Sequence, residues 1–315
     1  MTIFVRMKRS GFLFLVCLLS IASLAQKKVH ISIDDAPNTR LYKHLGYKSV
    51  LLDKLDSLQV PVSVFLNEGK IYQHDSVVAN FALLERWIQR SYTELGNHTF
   101  SHSRSSKAGP NAYAADVKKG EAITKELVKY YDKELKYFRF TFNDLGKDSL
   151  QQAQIAHLLD SMNYIITPFT IESSDYMFND LYRHYLREGN KLKADSIGMA
   201  YVEKTLDYFI HFEQVATDQY GRDVNQIYLC HDSHLNADYL DVIIKKLRDR
   251  GYEFITLEET LKDPVYSQTN HYHKHWGVSW FYRWMKDHKE RIKLMKQEPD
   301  LMEYFKVFQE LQKKK

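Results

Sequence analysis

Cysteine is nearly missing from this 315-residue chain, which has only two. Two thiols cannot staple a disulfide-rich scaffold, so a packed core has to hold the fold. Glycine and proline are sparse as well, at 12 and 6 residues, which excludes collagen-like and low-complexity sequence. A surplus of either charge is also lacking: 44 Lys and Arg stand against 40 Asp and Glu. A nucleic-acid partner calls for a concentrated basic surface, and nothing in this balance argues for one. What is present is 44% hydrophobic and 14% aromatic residues, enough to bury a large interior and to exclude disorder. The length admits two domains, and one large α/β barrel fits it equally well.

The first 25 residues read as a segment apart. Arg6, Lys8 and Arg9 precede the apolar run from Gly11 to Ala25, and small Ser23 and Ala25 lead into Gln26. This is the three-part pattern of a secretory signal peptide cleaved after Ala25, and it predicts export to the periplasm or the extracellular space. The apolar run falls short of the ~20 residues a membrane span needs, so no stable span is expected after cleavage. A lipid-anchored reading at Cys17 fails on the bulky Phe14, Leu15 and Val16 ahead of it. Without the three basic residues of the signal the charges nearly cancel. Cys230 is then the one remaining thiol, expected to be buried.

Beyond Gln26 the pattern alternates. Strand-like stretches are KVHISI (Lys28 to Ile33), VPVSVFLN (Val60 to Asn67), YTELGN near Tyr92, KYFRFTF near Tyr137, YIITPFTI near Ile165, QIYLCH near Tyr228 and YEFITL near Phe254. Helical periodicity covers Ser49 to Gln59, Val77 to Arg90, Ala112 to Tyr131, Ser149 to Met162, Leu181 to Ala216 and Ala237 to Arg248. Strands mostly separated by helices predict an α/β fold: a parallel sheet with crossover helices, either open or closed as a barrel. No linker-like stretch divides the chain, which favours one domain.

In a parallel barrel the C-terminal strand ends form one rim, where chemistry gathers. Asp34 and Asp35 close the first strand and His98 and His102 follow the third. Arg139 sits in the fourth, Asp175 comes just after the fifth, and His231 closes the sixth. His98 and His102 are four apart; on a helix that spacing puts both rings on one face, ~6 Å apart along the axis. Two neutral imidazoles so placed can bind a divalent metal, with a carboxylate as a third ligand. Asp34 and Asp35 cannot point the same way from extended backbone, so the pair suits two jobs, one on metal and one taking a proton from water. His271, His273 and His275 alternate, but no carboxylate is close in sequence, and they read as loop histidines beside Tyr272 and Trp276. SWFYRW (Ser279 to Trp284) reads as an aromatic packing anchor for the C-terminal helix, in preference to a sugar-stacking surface. His234 falls near the mouth without an assigned role.

SIDDAPN (Ser32 to Asn38) is similar to the first motif of the polysaccharide deacetylase family, carbohydrate esterase family 4, whose usual form is TFDDGP. ELGNHTFSH (Glu94 to His102) resembles the second motif, with H-[ST]-x-x-H intact. YFRFTFNDLG (Tyr137 to Gly146), IESSDY (Ile171 to Tyr176) and YLCH (Tyr228 to His231) resemble the third, fourth and fifth. The resemblance runs from Val29 to Leu261 and implies a deformed (β/α)7, TIM-like barrel with a C-terminal helical extension. It implies Asp35, His98 and His102 as ligands of one divalent metal, zinc first, with cobalt, nickel or manganese also accepted. Asp34 is implied as general base, His231 as general acid, Arg139 as the group that tunes Asp34, and Asp175 as the group that orients His231. Phe142 would offer its backbone N–H to the oxyanion, with Tyr176 and Leu229 lining the acetyl pocket. Ala36 replaces the usual glycine of the first motif, and Thr141 the usual proline of the third. Glu172 and Tyr176 stand where Asp and Trp are common in the fourth.

The function so implied is an exported, metal-dependent hydrolase of amide bonds. It would remove acetyl groups, N-acetyl first, from a glycan by attack of metal-bound water. The implied partner is an acetylated glycan of peptidoglycan, chitin-like or xylan-like type. Two alternatives stay open: an O-acetyl esterase of the xylan type, and an inactive glycan-binding relative. The expected organisation is a cleaved signal (1–25), a catalytic barrel (26–265) and an aromatic, helical extension packed on it (266–315).

Overall fold

The computed structural model describes residues 26–73 and 76–313; the expected signal segment lies outside the described residues. β1 (Lys27–Ala36) is buried along nearly its whole length. Its odd positions Val29, Ile31 and Ile33 pack under the surrounding helices. His30, Ser32 and Asp34 alternate with them and meet groups of the barrel interior. Burial on both faces explains why this strand reads as a near-continuous apolar run. His30 is a neutral part of that interior: its ring lies 2.9 Å from both Ile255 O and Ser63 Oγ. Burial presses its pKa down to about 3.

β2 (Val62–Leu66), β3 (Thr93–Asn97), β4 (Leu135–Phe138) and β5 (Ile165–Ile166) follow β1 on one side. β6 (Ile171–Glu172) pairs with β7 (Gln226–His231), β7 pairs with β1, and β8 (Tyr252–Phe254) joins the start of β1. Every pair is parallel. This curled sheet with its helices is the deformed (β/α)7 barrel that the resemblance implies, with a helical C-terminal region. One expected strand differs: YIITPFTI divides into β5 and β6 around Pro168, which has no N–H to give a ladder. Among the described residues β5 and β6 share no pairing. The crossing is held instead by Thr167 N to Phe138 O (2.8 Å), Thr170 N to Ile227 O (3.0 Å) and Trp280 N to Phe169 O (3.0 Å). Ser279 Oγ adds a bond to Thr170 O at 2.6 Å.

Two expected helices also divide. Ala112 to Tyr131 breaks at Gly120 into Pro110–Lys119 and Ala122–Tyr130. Leu181 to Ala216 becomes Asp175–Arg187 and Lys191–Tyr220, because Gly189 takes φ 67° and the Asn190 side chain caps Lys193 N. The C-terminal region packs on the last of these: Phe281, fully buried, stacks on Phe212 with ring centroids 5.5 Å apart. Truncating such a ring costs ~3–5 kcal/mol. Cys230 is buried in β7. Among the described residues no helix is long and apolar enough to cross a membrane.

Candidate active site

The first carboxylates owe their aim to an irregularity. β1 loses its regular register with β2 between Ile33 and Ala36, and Asp35 adopts φ 68°, which a short polar side chain tolerates better than most. Backbone extended through both aspartates would have sent them apart; the bend lets both line one groove. The histidine pair departs from helical spacing too. β3 ends at Asn97, and the loop after it places Thr99 at φ 64° and His102 at φ 54°, so a turn brings the rings to 5.2 Å between centroids.

That loop is held from several sides. Asn97 Nδ2 donates to Val117 O (2.9 Å), Thr99 N donates to Asn97 Oδ1 (2.7 Å), and Asn67 Nδ2 donates to Thr99 O (2.9 Å). Gly120 lies so close that a Cβ there would stand 2.5 Å from the Thr99 carbonyl carbon. Asn67 and Gly120 were not singled out in the sequence, although Asn67 closes a strand as the other site residues do.

Asp35, His98 and His102 each offer a ligand atom, and these atoms lie within 4.8 Å of one another. His98 Nδ1 donates to Arg139 O at 2.9 Å, which leaves Nε2 as the ligating nitrogen. Burial, reinforced by the neighbouring His102, holds the His98 pKa well below the usual value, so the ring is neutral. Burial alone would lift the Asp35 pKa; Lys70 and the two histidines hold it well below the usual range. Its Oδ1 is buried and lies 3.2 Å from His102 Nε2. Two imidazoles, one of them the neutral His98 ring, and an ionised carboxylate oxygen converging in one place fit a divalent cation of the zinc type. Lys70 Nζ lies 3.2 Å from the same Oδ1, a neighbour the sequence did not signal.

Asp34 and His231 are register partners across β1 and β7. Asp34 is buried, with Oδ2 3.8 Å from Arg139 Nη1 and Oδ1 without a hydrogen bond. Burial raises its pKa, against the opposing pull of Arg139 and His231. The arginine therefore limits the rise and does not reverse it. Arg139 lies one residue beyond β4 and is pinned by bonds of 3.1 Å from Nη2 to Ser32 Oγ and Pro168 O. Asp175 opens the helix Asp175–Arg187 and accepts from His231 N (2.8 Å) and Nδ1 (2.7 Å). Behind it, Asn236 Nδ2 donates to Asp175 Oδ2 (2.7 Å) and Tyr201 Oη donates to Asn236 Oδ1 (2.6 Å). Burial would lower the His231 pKa, but the charge and hydrogen bond of Asp175 outweigh it and lift it to about 10. Asp232, also unforeseen, accepts Asn38 N at 2.8 Å and Tyr42 Oη, tying the exits of β1 and β7 together.

The groove over these groups has a volume of about 610 Å³ and is lined also by Phe142, Tyr176 and Leu229. Phe142 sits at φ 58°, and its N–H makes no hydrogen bond among the described residues. Its ring lies against His102 (4.5 Å between centroids) and under Arg104 (3.9 Å). The far wall comes from the C-terminal extension: His275, Trp276 and Gly277 line the groove. A Cβ on Gly277 would stand 2.7 Å from Phe142 O, and buried Arg283 clasps the wall through Trp276 O (2.9 Å) and Asn143 O (3.3 Å). Trp276 is 62% exposed, which reads as a contact surface and not as core. The alternating histidines do not converge: His273 bonds Gln152 Oε1 at 3.0 Å and His275 lies tilted against Trp276.

The family model for polysaccharide deacetylase matches residues 22–159. Among solved structures, a polysaccharide deacetylase from Bacillus cereus superposes with a TM-score of 0.50 at 16% identity, covering 73% of this chain and 92% of that one. A CE4 family pseudoenzyme from Bacillus anthracis gives 0.49 at 14% identity, with 76% and 66% covered. A family 4 carbohydrate esterase from Streptomyces lividans, in complex with acetate, gives 0.46 at 16% identity, with 74% and 95% covered. No curated protein sequence matches the chain.

Proposed function

We infer, from a chain that carries the polysaccharide deacetylase family's pattern over residues 22–159 and its deformed barrel, that this protein is a metal-dependent hydrolase removing acetyl groups from a glycan. N-acetyl groups are the first target. The pattern of the first 25 residues supports action in the periplasm or outside the cell. One observation carries the reading: Asp34 and His231 are paired across β1 and β7 beside the convergent Asp35, His98 and His102.

Asp35, His98 and His102 are the residues that would hold the cation, which when bound supplies Lewis acidity at the acetyl carbonyl and the attacking water. Asp34 takes the water proton on its free buried oxygen, and its raised pKa makes it a stronger base than an exposed aspartate. His231 holds its Nδ1 proton against Asp175, so Nε2 delivers the proton to the leaving amine. Phe142 N–H is the backbone donor for the developing oxyanion. Tyr176 and Leu229 bound the space for the acetyl group.

Purified chain beginning at Gln26 should release acetate from N-acetylglucosamine oligomers, lose that activity to a chelator and regain it with zinc. Faster turnover of acetylated xylan would select the O-acetyl esterase. Silence on every acetylated substrate with every divalent metal would sink the hydrolase. A second reading, glycan binding without turnover, draws on the Lys70 ammonium 3.2 Å from Asp35 Oδ1, where it competes with a cation. Under that reading wild type binds zinc weakly and Lys70→Met tightens it; under the hydrolase reading wild type already binds zinc and turns over.

A further inference from the structure

A second cavity of about 430 Å³ opens beside the catalytic groove. Arg40, Arg183, Arg187, His44 and His234 line it together with Leu41, Leu45 and Leu186, and among the described residues no carboxylate lines it. None of the three arginines makes a hydrogen bond or ion pair among the described residues. Arg183 is half-buried, while Arg40 and Arg187 are exposed. Elsewhere on this surface arginines find carboxylates: Arg90 meets Asp56 at 2.8 Å and Arg222 meets Asp263 at 2.5 Å. Like charges gathered around one concavity repel, and an oxyanion bound among them would relieve that repulsion. The repulsion is mutual: burial, with Arg40 and Arg187 adding like charge and only Asp180 opposing, pulls the Arg183 pKa down.

The two cavities share their walls. On the helix Asp175–Arg187, Tyr176, Asn179 and Asp180 face the groove while Arg183, Leu186 and Arg187 face the second cavity. Successive turns of a helix are ~5.4 Å apart, so the arginines begin about one turn beyond the groove. Asn38 lines the groove and Arg40 the cavity; Ser233 lines the groove and His234 the cavity. A chain-like ligand leaving the groove along this helix would meet the arginines within about one sugar residue. The guanidinium fork recognises planar or tetrahedral oxyanions, and the leucines suit the carbon frame that carries them.

We propose that this cavity is a subsite for an anionic substituent, a carboxylate or a sulfate or phosphate ester, on the glycan that occupies the catalytic groove. The inference rests on the deacetylase reading and names its substrate as an acidic polymer. The probes are a tetrasaccharide alternating N-acetylglucosamine with glucuronate, and neutral chitotetraose. With zinc-loaded chain, acetate release should favour the acidic probe at low salt and lose that preference at high salt. Arg183→Gln/Arg187→Gln should lower the acidic-to-neutral ratio of kcat/KM about tenfold, and exposed Arg40→Gln should do so a few-fold without risk to folding. Calorimetric binding of the acidic probe to metal-free protein reads the same site without turnover, and should weaken in step. A wild type indifferent to charge, or binding that these substitutions leave unchanged, overturns the subsite and leaves a solvated basic face. Binding that responds to the substitutions, with no acetate released from any probe, supports the subsite and overturns the deacetylase.

Discussion

The two sides of the groove are built by different means. On the β1–β3 side the backbone does the aiming: Asp35, Thr99 and His102 all sit at positive φ, and the asparagines around them hold carbonyls in place. Left-handed residues other than glycine persist only where their surroundings over-determine them. On the β7 side the strand itself is regular, one left-handed residue, Ser174, precedes Asp175, and side chains do most of the work. His231 leans on Asp175, Asp175 on Asn236, and Asn236 on Tyr201, each through a short bond inside the protein. The first arrangement fixes where three donor atoms stand. The second fixes how tightly one proton is held. Position and proton affinity are thus separable here, and each can be attacked alone.

The largest effect belongs to the proposed base and acid. Asp34→Asn and His231→Ala should each lower kcat by ~10²–10⁴ while zinc stays bound; loss of zinc from either variant would merge the two sides into one. Next comes the proton. Asp175→Asn should move the His231 titration, followed by NMR in metal-free protein, from about 10 back toward the ordinary 6.5. Because the folded-state pKa lies above the free value, His231 contributes stability in full below about pH 6.5 and loses it as pH rises through about 10. Wild type should therefore lose stability over that window more steeply than the variant. An unmoved midpoint would show that Asp175 only positions the ring. On the other side, Asn97→Ala or Asn67→Ala should weaken zinc binding ~10–100-fold and leave the His231 titration where it was. The smallest change concerns the outer wall: Trp276→Ala should raise KM for an N-acetylglucosamine tetramer ~3–10-fold with little effect on an aryl acetate. Equal losses on both substrates would mean that the tryptophan supports the fold.

Much of this was legible because strand ends carry their chemistry in sequence. Asp34, Asp35, His98, His102 and His231 each close or follow an apolar run, and the barrel brings them together. What could not be read is whatever depends on a turn's handedness or a distant neighbour. Nothing in HTFSH says that Thr99 and His102 turn left-handed, so the spacing suggested a helix the loop does not contain. Lys70 and Asn236 lie in segments without a distinguishing pattern, and Trp276 follows a histidine run that gives no sign of the groove; all three reach the site only through tertiary packing. The division of the fifth strand was foreshadowed by Pro168 alone, and those of two helices by Gly120 and Gly189, each of which a sequence can also tolerate within an element.

The seam at Thr167 to Thr170 gives the final stretch of chain a mechanical office. Where neighbouring strands elsewhere zip to each other, here Ser279 and Trp280 act as the clasp, drawing the carbonyls of Phe169 and Thr170 shut. The same stretch carries Arg283, whose grip on Asn143 and Trp276 sets the groove's outer lip. A chain cut short ahead of Tyr266 would lose its keystone and its lip together. Its wall would part beside Arg139, whose hold on Pro168 lies within the seam.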